Sequence, residues 1–91
     1  MMKARRKRSI SNKLGLHESA YAKFVSVANQ YACEVEVARG NKHVNGKSIM
    51  GIMMLAASKG TELEISTEGK DAEVALDAIN DLINNRFGEN E

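Results

Sequence analysis

The chain has no proline, no tryptophan, a single cysteine, two tyrosines and two phenylalanines among 91 residues. Each shortage excludes something. One thiol, Cys33, cannot close an internal disulfide, which excludes a disulfide-stapled scaffold and fits a reducing compartment. With so few aromatics, stacking recognition of single-stranded nucleic acid has little to work with, and no nucleic-acid partner is expected. No apolar run approaches the roughly 20 residues that a membrane span requires. The longest, "SIMGIMMLAA", reaches about half that length, so no membrane insertion is expected. "MMKARRKR" has no apolar segment behind it and does not read as a secretory signal. What remains is one soluble domain over residues 1–91, expected to be cytoplasmic and monomeric, with an ordinary 43% hydrophobic and 27% charged composition.

Charge is unevenly spread. Lys3, Arg5, Arg6, Lys7 and Arg8 fall within the first eight residues with no acid among them, although the net charge is only +1. From Thr61 onward nine acids face only Lys70 and Arg86. A basic cluster of this kind can attract phosphate. The plainer reading is a solvated, frayed terminus over residues 1–8.

Glycines punctuate the chain into short segments. Residues 18–31 place Ala20, Phe24, Val27 or Ala28, and Tyr31 on one helical stripe. "CEVEVA" alternates as a half-solvated strand, "RGNK" reads as a tight turn, and "HVN" returns as a short partner strand. Ser48 is a good N-cap for a helix "IMGIMMLAASK", which Gly60 can end. "TELEIST" alternates again. Asp71 is placed to cap a last helix with Ala72, Ala75, Leu76, Ile79, Leu82 and Ile83 along one face. Residues 5–12 form the weakest strand, with Ile10 its one convincing core residue. The order β-α-β-β-α-β-α, with strands that each keep one wet face, predicts an α+β two-layer sandwich of an antiparallel sheet with the helices on its other side.

Some patterns lead nowhere. "GNKHVNGKS" has five residues between its glycine and Gly-Lys-Ser where a phosphate-binding loop has four. His17, Cys33 and His43 lack metal-ligand spacing, so no metal and no cofactor is expected. The methionines of "IMGIMMLAASK" are core filler by default. Yet one helix cannot bury Ile49, Met50, Ile52, Met53, Met54 and Leu55 on one side, so part of that surface faces solvent or a partner.

The segments "NKLGLH", "AKFV", "VNGKSIMGIMMLAASKG", "EGKDAEVALDAINDLI" and "FGE" resemble, in order and spacing, the histidine-containing phosphocarrier protein HPr of the phosphoenolpyruvate-dependent sugar phosphotransferase system. The resemblance runs from Ile10 to Glu89. It implies an open-faced sandwich of four antiparallel strands with three helices on one face. It makes His17 the phosphoacceptor, charged by enzyme I and discharged to IIA domains. It aligns Ser48 with the serine modified by HPr kinase/phosphorylase, and Ile49, Met50 and Met53 with an apolar docking patch. The chemistry is sound. An imidazole titrating near pH ~6.5 is neutral and nucleophilic at cytoplasmic pH. Gly15 lets the backbone turn tightly before it. Unpaired N–H groups at a helix entrance favour an added phosphate.

The residues after the histidine depart from the family pattern of small residue, arginine, proline. Ser19 stands for the arginine and removes a charged, bidentate phosphate partner. Ala20 stands for the proline and removes a preset φ at the first turn. Glu18 adds a like charge to the phosphate neighbourhood. The sequence thus supports two readings. One is a carrier that uses His17. The other is a regulatory module in which His17 chemistry is impaired and Ser48 and the docking patch act.

Overall fold

In the computed structural model, which describes residues 3–10 and 18–88, seven elements follow one another. They are β1 (Lys3–Ser9), α1 (Glu18–Ala28), β2 (Cys33–Arg39), β3 (Lys42–Asn45), α2 (Ile49–Met54), β4 (Glu62–Gly69) and α3 (Ala72–Asn84). A 3-10 turn follows at Arg86–Gly88. The strands form one antiparallel sheet in the order β1-β4-β2-β3, the expected open-faced α+β sandwich.

Alternation decides which face is covered. Val35 and Val37 of β2, and Leu63, Ile65 and Thr67 of β4, are buried, while Glu34, Glu36 and Glu62 are exposed. Against the apolar face lie Ala20, Phe24 and Ala28 of α1, Ile52 of α2, and Leu76, Ile79 and Ile83 of α3. Thr67, the polar member of the buried row, donates its hydroxyl to the Ala72 carbonyl at 2.7 Å and ties β4 to the start of α3. Between β2 and β3 the chain reverses through Gly40 at φ +58, a value that favours glycine.

Four local expectations are corrected. The sequence places the first strand over residues 5–12. Instead β1 begins at Lys3, and its cations are seated beside the acids of β4: Lys3 lies 4.0 Å from Glu68 and Arg5 3.8 Å from Glu64. Residues 11 and 12 lie outside the described residues. Ile10 follows the strand, is 1% exposed, and exchanges backbone bonds with Thr61 and Gly60. Part of the segregated charge is therefore paired across strands, although exposed pairs of this kind contribute only about 0–1 kcal/mol each.

The first helix stops at Ala28, so Tyr31 is not part of its stripe. Asp71 precedes α3 but makes no side-chain cap to it. Its carboxylate accepts from the Ala32 N–H at 2.9 Å while its own N–H donates to the Ala32 carbonyl, which fastens the loop before β2. The second helix ends at Met54, well short of Gly60. It stops because Ala56 turns to φ +48, a left-handed value that a right-handed helix cannot continue through.

Candidate functional site

Two helix entrances carry the residues the sequence singles out. The first is that of α1. His17 and Gly15 lie outside the described residues, and α1 opens at Glu18, directly after the histidine. Glu18 and Ser19 are exposed, so both are available to a group at this entrance. Ala20 is fully buried in the core, and its place is set by packing. A carboxylate in the first turn suits the helix dipole, which explains why Glu18 is tolerated here. That same charge would oppose any anionic group brought to this entrance.

The second entrance belongs to α2. Ser48 is its N-cap: the hydroxyl accepts from the Gly51 N–H at 3.1 Å, and the Ser48 carbonyl accepts from the Ile52 N–H at 3.0 Å. The expected cap is present. Just before it, the Lys47 ammonium donates to the Tyr31 carbonyl at 2.8 Å, and the Asn29 amide, one residue beyond α1, donates to the Lys47 carbonyl at 3.3 Å. The end of α1 thus meets the start of α2.

Along α2 the apolar residues divide sharply. Ile52 is fully buried, whereas Ile49, Met50, Met53 and Met54 are 47%, 75%, 51% and 61% exposed. The family resemblance assigns Ile49, Met50 and Met53 to a docking patch, and Met54 is exposed beside them. Its position four residues after Met50 was the signal, since i and i+4 share a helix face. Contiguous exposed apolar surface of this kind marks an interaction site more often than a defect of packing, and methionine's flexible thioether adapts to partners.

Among the described residues the other polar groups do not form a reactive constellation. His43 sits on the uncovered sheet face with its Nδ1 3.2 Å from Glu36 Oε1. Cys33 is half-buried against the core, and burial pushes its thiol up from the ordinary range; Lys47 lowers it less, and Asp71 raises it slightly further. It is a packing residue and not an activated nucleophile. Among the described residues no group of three or more His, Cys, Asp or Glu could hold a metal ion. No helix among them is long and apolar enough to cross a membrane.

Residues 4–85, which include both helix entrances, match the sequence model of the family described as PTS HPr component phosphorylation site. The chain belongs to the HPr family of phosphocarriers. It is 57% identical over 84 residues to the phosphocarrier protein HPr of Pseudomonas aeruginosa, covering 91% of this chain and 93% of that one. It is 55% identical over 82 residues to HPr of Neisseria meningitidis, covering 90% and 92%. Among solved structures, HPr-C-His from Thermoanaerobacter tengcongensis superposes with a TM-score of 0.94 at 43% identity, covering 97% of this chain and 99% of that one. The HPr fold accounts for the sheet order and the three helices, and the phosphocarrier family gives the chain its place in the phosphotransferase system.

Proposed function

We propose that this chain carries a phosphoryl group on His17, taking it from phospho-enzyme I and giving it to IIA domains in the cytoplasm. The observation that carries the reading is the family match across residues 4–85, with α1 opening directly behind the histidine. In the first half-reaction a neutral imidazole nitrogen gives its lone pair to phosphorus. An N–P bond forms as the bond from phosphorus to the donor breaks, and that electron pair leaves with the donor. The second half-reaction runs the same exchange toward the acceptor, so the phosphohistidine is a covalent intermediate. No cofactor takes part.

Around the phosphoryl group the chain offers the first N–H groups of α1 and the Ser19 hydroxyl, against the Glu18 carboxylate. A like charge at ~5–6 Å costs roughly 0.7–3 kcal/mol between effective dielectrics of ~80 and ~20. Phospho-His17 is therefore held less firmly than one facing an arginine, and it is correspondingly quick to lose its phosphoryl group. On this reading Ile49, Met50 and Met53 dock enzyme I and the IIA domains, and Ser48 is the acceptor for an HPr kinase/phosphorylase.

Incubation with enzyme I and radiolabelled phosphoenolpyruvate tests this. Acid-labile label is expected on the chain and absent from His17→Ala. If the chain takes no label while a kinase still modifies Ser48, the carrier reading fails. The regulatory module then stands, a reading favoured by the Glu18-Ser19-Ala20 entrance. Ser19→Arg sharpens the comparison. Restoring a charged donor worth about 1.5–3 kcal/mol should lengthen the lifetime of phospho-His17 at least tenfold. An unchanged lifetime would mean that the entrance does not hold the phosphate through this position.

A further inference from the structure

A helix of six residues cannot hold itself together, because nucleation consumes most of what so few hydrogen bonds return. The sequence of α2 adds to the problem. Gly51 sits in its middle, its last turn contains no basic residue, and the position after its C-cap is alanine where glycine is usual. Ala56 nonetheless occupies the left-handed region at φ +48, with its N–H donated to the Met53 carbonyl at 3.2 Å, as in a glycine-terminated helix. For an L-residue this conformation is costly. Its side chain is exposed, so packing does not impose it.

The restraint comes from the hairpin. One guanidinium nitrogen of Arg39, at the end of β2, donates to the Leu55 carbonyl at 2.7 Å and to the Ala56 carbonyl at 3.0 Å. The Lys42 ammonium, at the start of β3, donates to the Met54 carbonyl at 3.0 Å. Three successive carbonyls at the end of α2 are thus taken by two cations from another element. The first two, of Met54 and the C-cap Leu55, are orphan acceptors of a helix C-terminus and sit at its negative dipole end; the third belongs to the left-handed residue that follows. The same arrangement recurs at Phe87, the other non-glycine residue with positive φ among the described residues, whose carbonyl accepts from the Lys23 ammonium of α1.

We propose that Arg39 and Lys42 are positioning residues that clamp the last turn of α2 closed, so that Met50, Met53 and Met54 stand as a preformed docking face. Arg39 is the principal one, because it alone restrains Ala56. The inference rests on the reading of that face as the surface that meets enzyme I. Preorganisation of this kind acts on affinity, since an unclamped turn would have to be ordered at each encounter.

A double-mutant cycle tests the clamp in the intact chain. Arg39→Ala should lower the Tm by about 4–8 °C. It should also speed amide exchange at Leu55 and Ala56 by roughly tenfold, and raise the KM of the chain as substrate of enzyme I by about 5–10-fold at unchanged kcat, the pattern of lost docking. Ala56→Gly, which removes the backbone strain, should recover most of each loss in the Arg39→Ala background while changing the wild-type protein little. If the two substitutions are simply additive, or if exchange at Leu55 and Ala56 does not move, the clamp is overturned. Lys42→Met, a milder change that releases only the Met54 carbonyl, should give a smaller shift in the same direction should Arg39→Ala fold poorly; no shift in exchange would again overturn the clamp. Met53→Ser separates the two ideas. If it raises KM and Arg39→Ala does not, the clamp has no part in docking and the proposal fails. If neither moves KM, the docking reading itself is wrong, and amide exchange still decides whether the clamp exists.

Discussion

The second and third helices invert one another. α3 is 13 residues long and turns Ala72, Ala75, Leu76, Ile79 and Ile83 inward, so its apolar residues hold the domain together. α2 is six residues long, buries only Ile52, and leaves four of its large apolar side chains in solvent. The same residue types thus serve stability in one helix and, on the proposed reading, recognition in the other. What separates them is support. α3 is fixed by its own stripe, whereas α2 is fixed from outside by Ser48 at its entrance and by Arg39 and Lys42 at its exit.

Truncation of the α3 stripe should give the largest effect. Ile79 is fully buried, and Ile79→Ala should cost about 2–5 kcal/mol in chemical denaturation, from lost transfer energy and the cavity left behind. For a domain whose stability lies near 5–15 kcal/mol that is a large share, yet the folded fraction should still be phosphorylated with the wild-type KM. A raised KM in this variant would mean that the two helices are not functionally separate.

The second effect runs in the opposite direction. Asn80 lies on the inner side of α3, is 5% exposed, and neither atom of its amide has a hydrogen-bond partner among the described residues. A buried polar group in this state bears its desolvation cost with nothing in return. Asn80→Val should therefore raise stability by about 1–2 kcal/mol, with no change in phosphotransfer. A loss of stability on replacement would show that the amide has a role in the folded state.

Asn80 also marks where sequence reading stops. The stripe of α3 was legible because its period of 3.6 is long and clean, and the strands β2 and β4 were legible because they alternate strictly. Neither pattern could announce that a polar residue inside the stripe is buried alone. β1 was hard to read because Arg6 and Arg8 occupy the positions opposite Ile65 and Leu63, which leaves Ala4 as the one apolar residue on its inward face. The end of α2 was misjudged for a related reason. Gly60 was the local stop signal, but the helix is ended by Ala56 and by cations 12 to 17 positions away in the chain, contacts that no local pattern encodes. Of the site itself, the order His17, Ser48 and the methionine run was visible through the family resemblance, whereas the exposure of Met54 and the clamp needed coordinates.

The smallest effect on stability should come from α2. Met53 is half-exposed, and exposed substitutions away from special features change stability by no more than about 0.5 kcal/mol, so Met53→Ser should unfold within that margin of the wild type. Its effect on docking should be much larger than its effect on folding. With Met53 as one of the few anchors that carry the energy of such a face, its removal should cost about 1–1.4 kcal/mol, a five- to tenfold rise in KM for enzyme I. The decisive quantity is the ratio of the two effects: in Ile79→Ala, stability falls and KM holds, whereas in Met53→Ser, stability holds and KM rises. If Met53→Ser instead lost stability in proportion to its loss of docking, the exposed methionines would be part of the core after all, and α2 would differ from α3 only in length.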